Sequence, residues 1–144
     1  MTMQISKPTL FYVDDDADDL DFFREIALDL SVVPELFSDP KEFLEALKKR
    51  AKLPQIIFSD LNMPRMNGFE LISEIRKDET FGEIPIVVLS TSADRDGIQR
   101  CYDAGANLYM IKSSSFDKFR KSLERVLGID WETFEKNVRN FLLK

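Results

Sequence analysis

The chain has 144 residues, the size of one domain, with 44% apolar and 32% charged residues, the balance of a soluble globular protein. Its net charge of −6 argues against a protein that grips nucleic acid non-specifically, which needs a basic footprint. There is no histidine and one cysteine, Cys101. That excludes Ser-His-Asp and Cys-His catalysis, histidine-bound zinc, phosphohistidine chemistry on this chain itself and an internal disulfide. The basic clusters (Lys48, Lys49, Arg50 and Lys52; Lys118, Arg120, Lys121 and Arg125) read as solvated faces. Residues 1–8 are polar and no apolar stretch approaches the ~20 residues of a membrane span, so the expected location is the cytoplasm, with no membrane contact.

In chain order, Thr9–Val13 reads as a strand, and Asp18–Leu30 as a helix with Leu20, Phe23, Ile26, Ala27 and Leu30 on one face. Glu35–Phe37 is a short strand and Pro40–Arg50 a helix with proline in its first turn. Gln55–Asp60 is a strong strand, and Gly68–Arg76 a helix with Phe69, Leu71, Ile72 and Ile75 as core candidates. Ile84–Ser90 is the third strong strand, Ala93–Ala104 a helix capped by Gly105, Leu108–Ile111 the last strand, and Phe116–Leu127 a helix closed by Gly128, with Cys101 as a small buried or half-buried helix residue. Residues 129–144 read as one more amphipathic helix, with Trp131, Phe134, Val138, Phe141 and Leu142 in a single stripe that packs onto the domain or forms a dimer or partner contact. Strands alternating with helices predict an α/β fold, a doubly wound five-stranded parallel sheet with helices on both faces. In such sheets ligands sit beyond the carboxyl ends of the strands, at the switch in strand order.

Two apolar strands end in acid there. Leu10–Val13 leads into Asp14-Asp15-Asp16, and Gln55–Ser59 into Asp60. Carboxylates brought within a few ångströms repel strongly, and a divalent cation relieves them. Hard oxygen ligands with open positions suit Mg²⁺. The third strong strand ends in Ser90, followed by Thr91 and Ser92, and the fifth in Lys112, at the same edge. A hydroxyl can donate to a phosphoryl oxygen, an ammonium can pair with another, and a carboxylate beside Mg²⁺ can attack phosphorus in line. Asp16 reads as a helix cap or surface charge, not a ligand.

With these residues in place the chain resembles a response-regulator receiver domain over about residues 8–127, leaving 128–144 as a C-terminal helical extension. Val13-Asp14-Asp15 matches the family's acidic pair, and Asp60 with Met63-Pro64, Met66 and Gly68 matches D-x-x-M-P-x-M-x-G. Pro85 to Ser90 matches the proline-strand-Ser/Thr segment, and Gly105 to Lys112 matches G-A-x-x-Y-x-x-K. The resemblance implies a flavodoxin-like (βα)5 fold with Asp60 as phosphoacceptor, served by a sensor histidine kinase or a histidine phosphotransfer protein. It implies Mg²⁺ held by Asp15, Asp60 and the main-chain carbonyl of Asn62, with Asp14 acting through water. Ser90 would donate to the phosphoryl group, Lys112 pair with Asp60 and then with the phosphoryl, and Tyr109 turn inward as Ser90 moves. The usual output face is Ala93–Ala104, Leu108–Ile111 and Phe116–Leu127. Asn62 and Ser92 flank the site and are expected to tune the lifetime of the acyl phosphate.

The chain departs from the family in Ser113, where a proline in a cis bond usually follows the lysine. A cis bond before a non-proline residue costs about 2.5–4 kcal/mol, so the 112–115 loop is expected to differ. The acidic N-terminal segment and Leu89-Ser90-Thr91-Ser92 resemble the stand-alone regulators that partner phytochromes and other sensor kinases. The 17 residues after Leu127 hold no effector domain, so the expected output is contact with a downstream protein, a phosphotransfer protein or a second copy of the chain, in a switch and not an enzyme. Three alternatives compete. A phosphorylation-independent pseudo-receiver lacks support because every key residue is present. The D-x-D of haloacid-dehalogenase-like phosphatases fits Asp14 and Asp16, but Asp18 stands where Thr or Val is normal. Asp14, Asp16, Asp18 and Glu25 take EF-hand spacing, but Asp19 replaces the obligatory glycine.

Overall fold

The computed structural model describes residues 8–50 and 52–143; the polar segment 1–7 and Lys144 lie outside them. Five strands alternate with five helices: β1 (Leu10–Val13), α1 (Ala17–Asp29), β2 (Glu35–Phe37), α2 (Pro40–Lys49), β3 (Ile56–Asp60), α3 (Gly68–Lys77), β4 (Ile86–Ser90), α4 (Arg95–Ala104), β5 (Leu108–Ile111) and α5 (Phe116–Leu127), with a 3₁₀ turn at Glu79–Phe81. All four strand pairings are parallel and the order is β2-β1-β3-β4-β5. β1, β3 and β4 are buried at every position, which is why they read as continuous apolar runs and not as alternating ones. The order reverses between β1 and β3, the strands that end in Asp14 and Asp60.

Each face of the sheet has its own core. Leu10, Tyr12, Phe58, Val87, Leu89 and Met110 pack with Phe23 and Ile26 of α1 and Leu123 and Val126 of α5. Phe11, Val13, Ile57, Ile86, Val88 and Tyr109 pack with α2, α3 and α4 through Phe43, Leu47, Leu71, Ile75 and the fully buried Cys101. Helix starts are set by side chains that accept orphan backbone N–H groups: Asp16 from Asp18 and Asp19, Asn67 in a capping box with Glu70, Asp94 from Gly97 and Ser115 from Lys118. Asp94 as cap moves the start of α4 from the expected Ala93 to Arg95. The helix ends as anticipated at Gly105, whose φ of +111° is left-handed.

The expected helix over 129–144 does not form. Asp130 accepts from the Glu132 and Thr133 backbone through its side chain and carbonyl, and the Asn137 side chain accepts from the Arg139 and Asn140 N–H groups. These local bonds offer the backbone turns in place of a helix. The end of the chain instead pairs with the open edge of β5: the Tyr109 N–H donates to the Phe141 carbonyl (2.8 Å) and the Leu143 N–H to the Tyr109 carbonyl (2.9 Å). The stripe therefore divides. Trp131 and Phe134 join the α1–α5 core, Phe141 and Leu142 join the other, and Val138 is exposed.

At the end of the molecule remote from the acidic strand termini, Arg76 of α3 fastens the turn before β5. Its guanidinium donates to the carbonyls of Gly105 (2.9 Å), Phe81 (3.1 Å) and Gly82 (3.2 Å) and to Oδ1 of Asn107 (2.7 Å), which also accepts from the Ile86 N–H. Arg76→Ala removes the side-chain donor from the Gly105 and Gly82 carbonyls, while Phe81 and Asn107 keep the N–H groups of Ile84 and Ile86, and is expected to cost about 1–3 kcal/mol. Urea unfolding followed by the single tryptophan, Trp131, measures it.

Candidate functional site

The sheet ladder carries the chemistry-bearing residues past the strand ends in register. The Asp14 N–H donates to the Phe37 carbonyl (3.0 Å), and the Lys112 N–H to the Ser90 carbonyl (2.8 Å). Val13 lies beside Ser59, Asp60 beside Leu89 and Ser90 beside Ile111. Asp14, Asp15, Asp60, Ser90 and Lys112 thus meet at one edge. Of the carboxylates, Asp14 is fully buried, Asp60 is buried and Asp15 is exposed.

One ammonium organises them. Lys112 Nζ donates to Asp14 Oδ2 (2.8 Å), Asp60 Oδ1 (2.9 Å) and Asp19 Oδ2 (2.8 Å), which uses all three of its donors. Burial works against the charged lysine, but the three carboxylates more than offset it and hold its pKa above the usual range. Burial pushes the Asp60 carboxyl up to about 6, against the pull of Lys112 and with Asp14 adding to the rise. Asp14 is further held by the Asp16 N–H on Oδ1 (2.9 Å) and by the Tyr12 hydroxyl on Oδ2. Burial and that carboxylate raise the Tyr12 pKa, so the phenol stays a donor.

One oxygen from each of Asp14, Asp15 and Asp60 lies within 4.8 Å of the other two. That spacing and all-oxygen donor set fit a hard divalent cation with positions left for water and a phosphate oxygen. Asn62 stands two residues past Asp60 in the β3–α3 loop, which closes where the Gly68 N–H donates to the Leu61 carbonyl (2.8 Å). Ser90 is buried, and its Oγ accepts from the Ser92 N–H (3.2 Å). Tyr109 is fully buried and donates its hydroxyl to the Ser92 carbonyl (2.6 Å). No cis peptide occurs among the described residues, so the Lys112–Ser113 bond is trans, in keeping with a loop unlike the family's Lys-Pro turn. Asp16 caps α1, as its place in the sequence suggested.

Sequence reasoning missed Asp19 and Tyr12. Tyr12 carried a signal: two residues before Asp14 on a strand, it shares that residue's side of the sheet and is the one polar tip in the run. Asp19 carried none beyond its charge, because its partner lies 93 residues away.

Two variants probe the site. A Cβ on Gly68 would lie 2.7 Å from the Asp60 carbonyl oxygen and 3.0 Å from the Leu61 Cα, both main chain. Gly68→Ala is expected to cost about 1–3 kcal/mol by displacing the loop and to weaken Mg²⁺ binding in calorimetric titration. Asp60 binds its proton more tightly folded, at about 6, than at the ordinary 3.8. Its ionisation therefore opposes folding, with no penalty well below pH 3.8 and the full penalty above about 6. In metal-free buffer Asp60→Asn is expected to be more stable than the parent by about 1–3 kcal/mol at neutral pH. Denaturant titrations at several pH values should show that gain vanish as the pH falls through the Asp60 titration.

The model of the response regulator receiver domain family matches residues 10–124. Chemotaxis protein CheY1 of Helicobacter pylori is 35% identical over 74 residues, 51% of this chain and 60% of that protein. The matched stretches span about half to three-fifths of the curated relatives heading the comparison. The solved structure of the phosphorylated cyanobacterial phytochrome response regulator RcpA superposes with a TM-score of 0.77 at 29% identity, covering 91% of this chain and 99% of that one. The Mn²⁺-bound form of response regulator Rcp1 superposes at 0.72 with 25% identity, covering the same shares. With the family model spanning most of the chain and the doubly wound sheet closing on the site that its motifs anticipate, this protein belongs to the response regulator receiver domain family.

Proposed function

We propose that the chain is a response-regulator receiver that accepts a phosphoryl group on Asp60 from a sensor histidine kinase or a histidine phosphotransfer protein. The observation that carries this reading is the meeting of Asp60 with Lys112 at 2.9 Å inside a three-carboxylate cluster of cation-binding dimensions, with Ser90 at the same sheet edge. A divalent cation, Mg²⁺ on Asp15, Asp60 and the Asn62 carbonyl with Asp14 acting through water, would neutralise charge on the cluster and the incoming phosphoryl oxygens. The Mn²⁺-bound Rcp1 and phosphorylated RcpA structures support that chemistry by likeness.

An Asp60 carboxylate oxygen forms the new O–P bond as the donor's N–P bond breaks, and the imidazole departs with its electron pair. Lys112, already on Asp60 Oδ1, pairs with a phosphoryl oxygen after transfer, and Ser90 donates to another. These contacts exist only with the phosphoryl group bound, so their free energy biases the protein towards its active arrangement, with Tyr109 as the switch aromatic. The output is a protein contact made through α4, β5 and α5, with a downstream target or a second copy of the chain. Among the described residues no helix is long and apolar enough to cross a membrane, and the cytoplasm is the proposed location.

Incubation with acetyl phosphate and Mg²⁺, followed by intact-protein mass spectrometry, tests the reading. A base-labile, Mg²⁺-dependent phosphoryl adduct is expected on the parent and none at that position on Asp60→Asn. An unmodified parent that binds Mg²⁺ would point to a phosphorylation-independent interaction module.

A further inference from the structure

The segment after α5 occupies a built seat. Lys136 Nζ donates to the carbonyls of Tyr102 (2.9 Å) and Ala106 (2.8 Å) at the carboxyl end of α4 and lies 4.2 Å from the centre of the Tyr102 ring. Carbonyls at a helix C-terminus carry negative partial charge and favour a cation there. Five residues on, the Phe141 ring is only 2% exposed, edge-on to Tyr102 at 5.1 Å and tilted against Tyr109 at 6.4 Å. The Phe141 carbonyl and the Leu143 N–H, on either side of Leu142, pair with both main-chain polar groups of Tyr109. An edge strand with unpaired groups attracts an extended partner, and here that partner is the chain's own end.

Tyr109 is also tied to the acidic site. Its hydroxyl donates to the Ser92 carbonyl, and the Ser92 N–H donates to Ser90 Oγ. A continuous line of contacts thus runs from Phe141 through Tyr109 and Ser92 to the Ser90 hydroxyl, at the end of the strand next to that of Asp60. A phosphoryl group on Asp60 would engage Ser90 and hold the Ser92 backbone that keeps Tyr109 turned inward. The 130–143 segment is seated on that same inward tyrosine.

We propose that residues 130–143 form a strap, the built-in ligand of the α4–β5 edge, whose docking is positively coupled through Tyr109 to the phosphoryl state of Asp60. The proposal rests on the phosphoacceptor reading above. Coupling is reciprocal: whatever phosphorylation adds to strap docking, docking adds to binding at the phosphoryl site.

The test is amide hydrogen exchange of the full chain, read at Tyr109 and Leu143, without and with Mg²⁺ plus beryllofluoride, a phosphoryl mimic whose uptake is followed by ¹⁹F NMR. Loading is expected to slow exchange at both amides about 5-fold or more, the lower end of ordinary coupling. Phe141→Ala and the milder Lys136→Met should weaken beryllofluoride binding in the order in which they raise Leu143 exchange. Adduct formation with unchanged or faster exchange overturns the coupling alone, as does undiminished binding by a folded variant whose strap has come loose. A parent chain that binds Mg²⁺ but takes up no beryllofluoride overturns the phosphoacceptor reading and the coupling with it.

Discussion

One half-buried ammonium holds the functional end of this molecule together. Parallel strands bring all their carboxyl ends to one side, and β1 and β3 each deliver an aspartate there. Asp14 and Asp60 are out of solvent, where an unpaired carboxylate is costly. Lys112 arrives from β5, two strands beyond Asp60, and spends its three donors on Asp14, Asp60 and Asp19. It does not neutralise the cluster, because Asp15 remains at the mouth and four carboxylates face a single cation. The residual negative charge and the oxygen spacing are what a divalent ion complements, and in the proposed function a phosphoryl group would supply new acceptors for the same lysine. The raised pKa of Asp60 is the measure of that poise: its ionised form is kept against the preference of its surroundings.

The rest of the fold serves this alignment. Register along β1, β3, β4 and β5 keeps the strand termini level. Gly68 lets α3 start against the Asp60 main chain, where any side chain would collide. Asp16 caps α1, fixing the turn that sets Asp19 over Lys112. Around the turn before β5, Arg76 holds the Gly105 carbonyl and Lys136 the Ala106 carbonyl, so cations from α3 and from the C-terminal segment hold it from different elements. Rigidity is gathered there, and the unbalanced charge is left at the opposite edge.

The strap changes the view of the β5 edge. In a bare five-stranded sheet that edge would present unpaired backbone groups to any passing strand. Here Tyr109 has both of its main-chain groups paired and its ring covered. Residues 130–143 thus cover the β5 edge between the faces that α4 and α5 flank.

Much was legible in the sequence because the relevant forces are local. Runs such as Ile86–Leu89 read as buried strands, Gly105 marks a helix end, and the acidic and Lys112 motifs fall at strand termini that the alternating pattern already implied. The illegible parts are those where a distant partner decides. Residues 129–143 have a helical stripe, yet Asp130 and Asn137 bind their own backbone and the open edge of β5 offers main-chain pairing, so the stripe is shared between two cores. Asp19 looked like one of many surface acids until the fold set it against a lysine 93 residues away. Short-range pattern sets the strand–helix order and the chemistry at each strand end, so both could be read from residue order alone. Which charges share Lys112 and where residues 130–143 lie depends instead on which unpaired groups the closed fold leaves within reach.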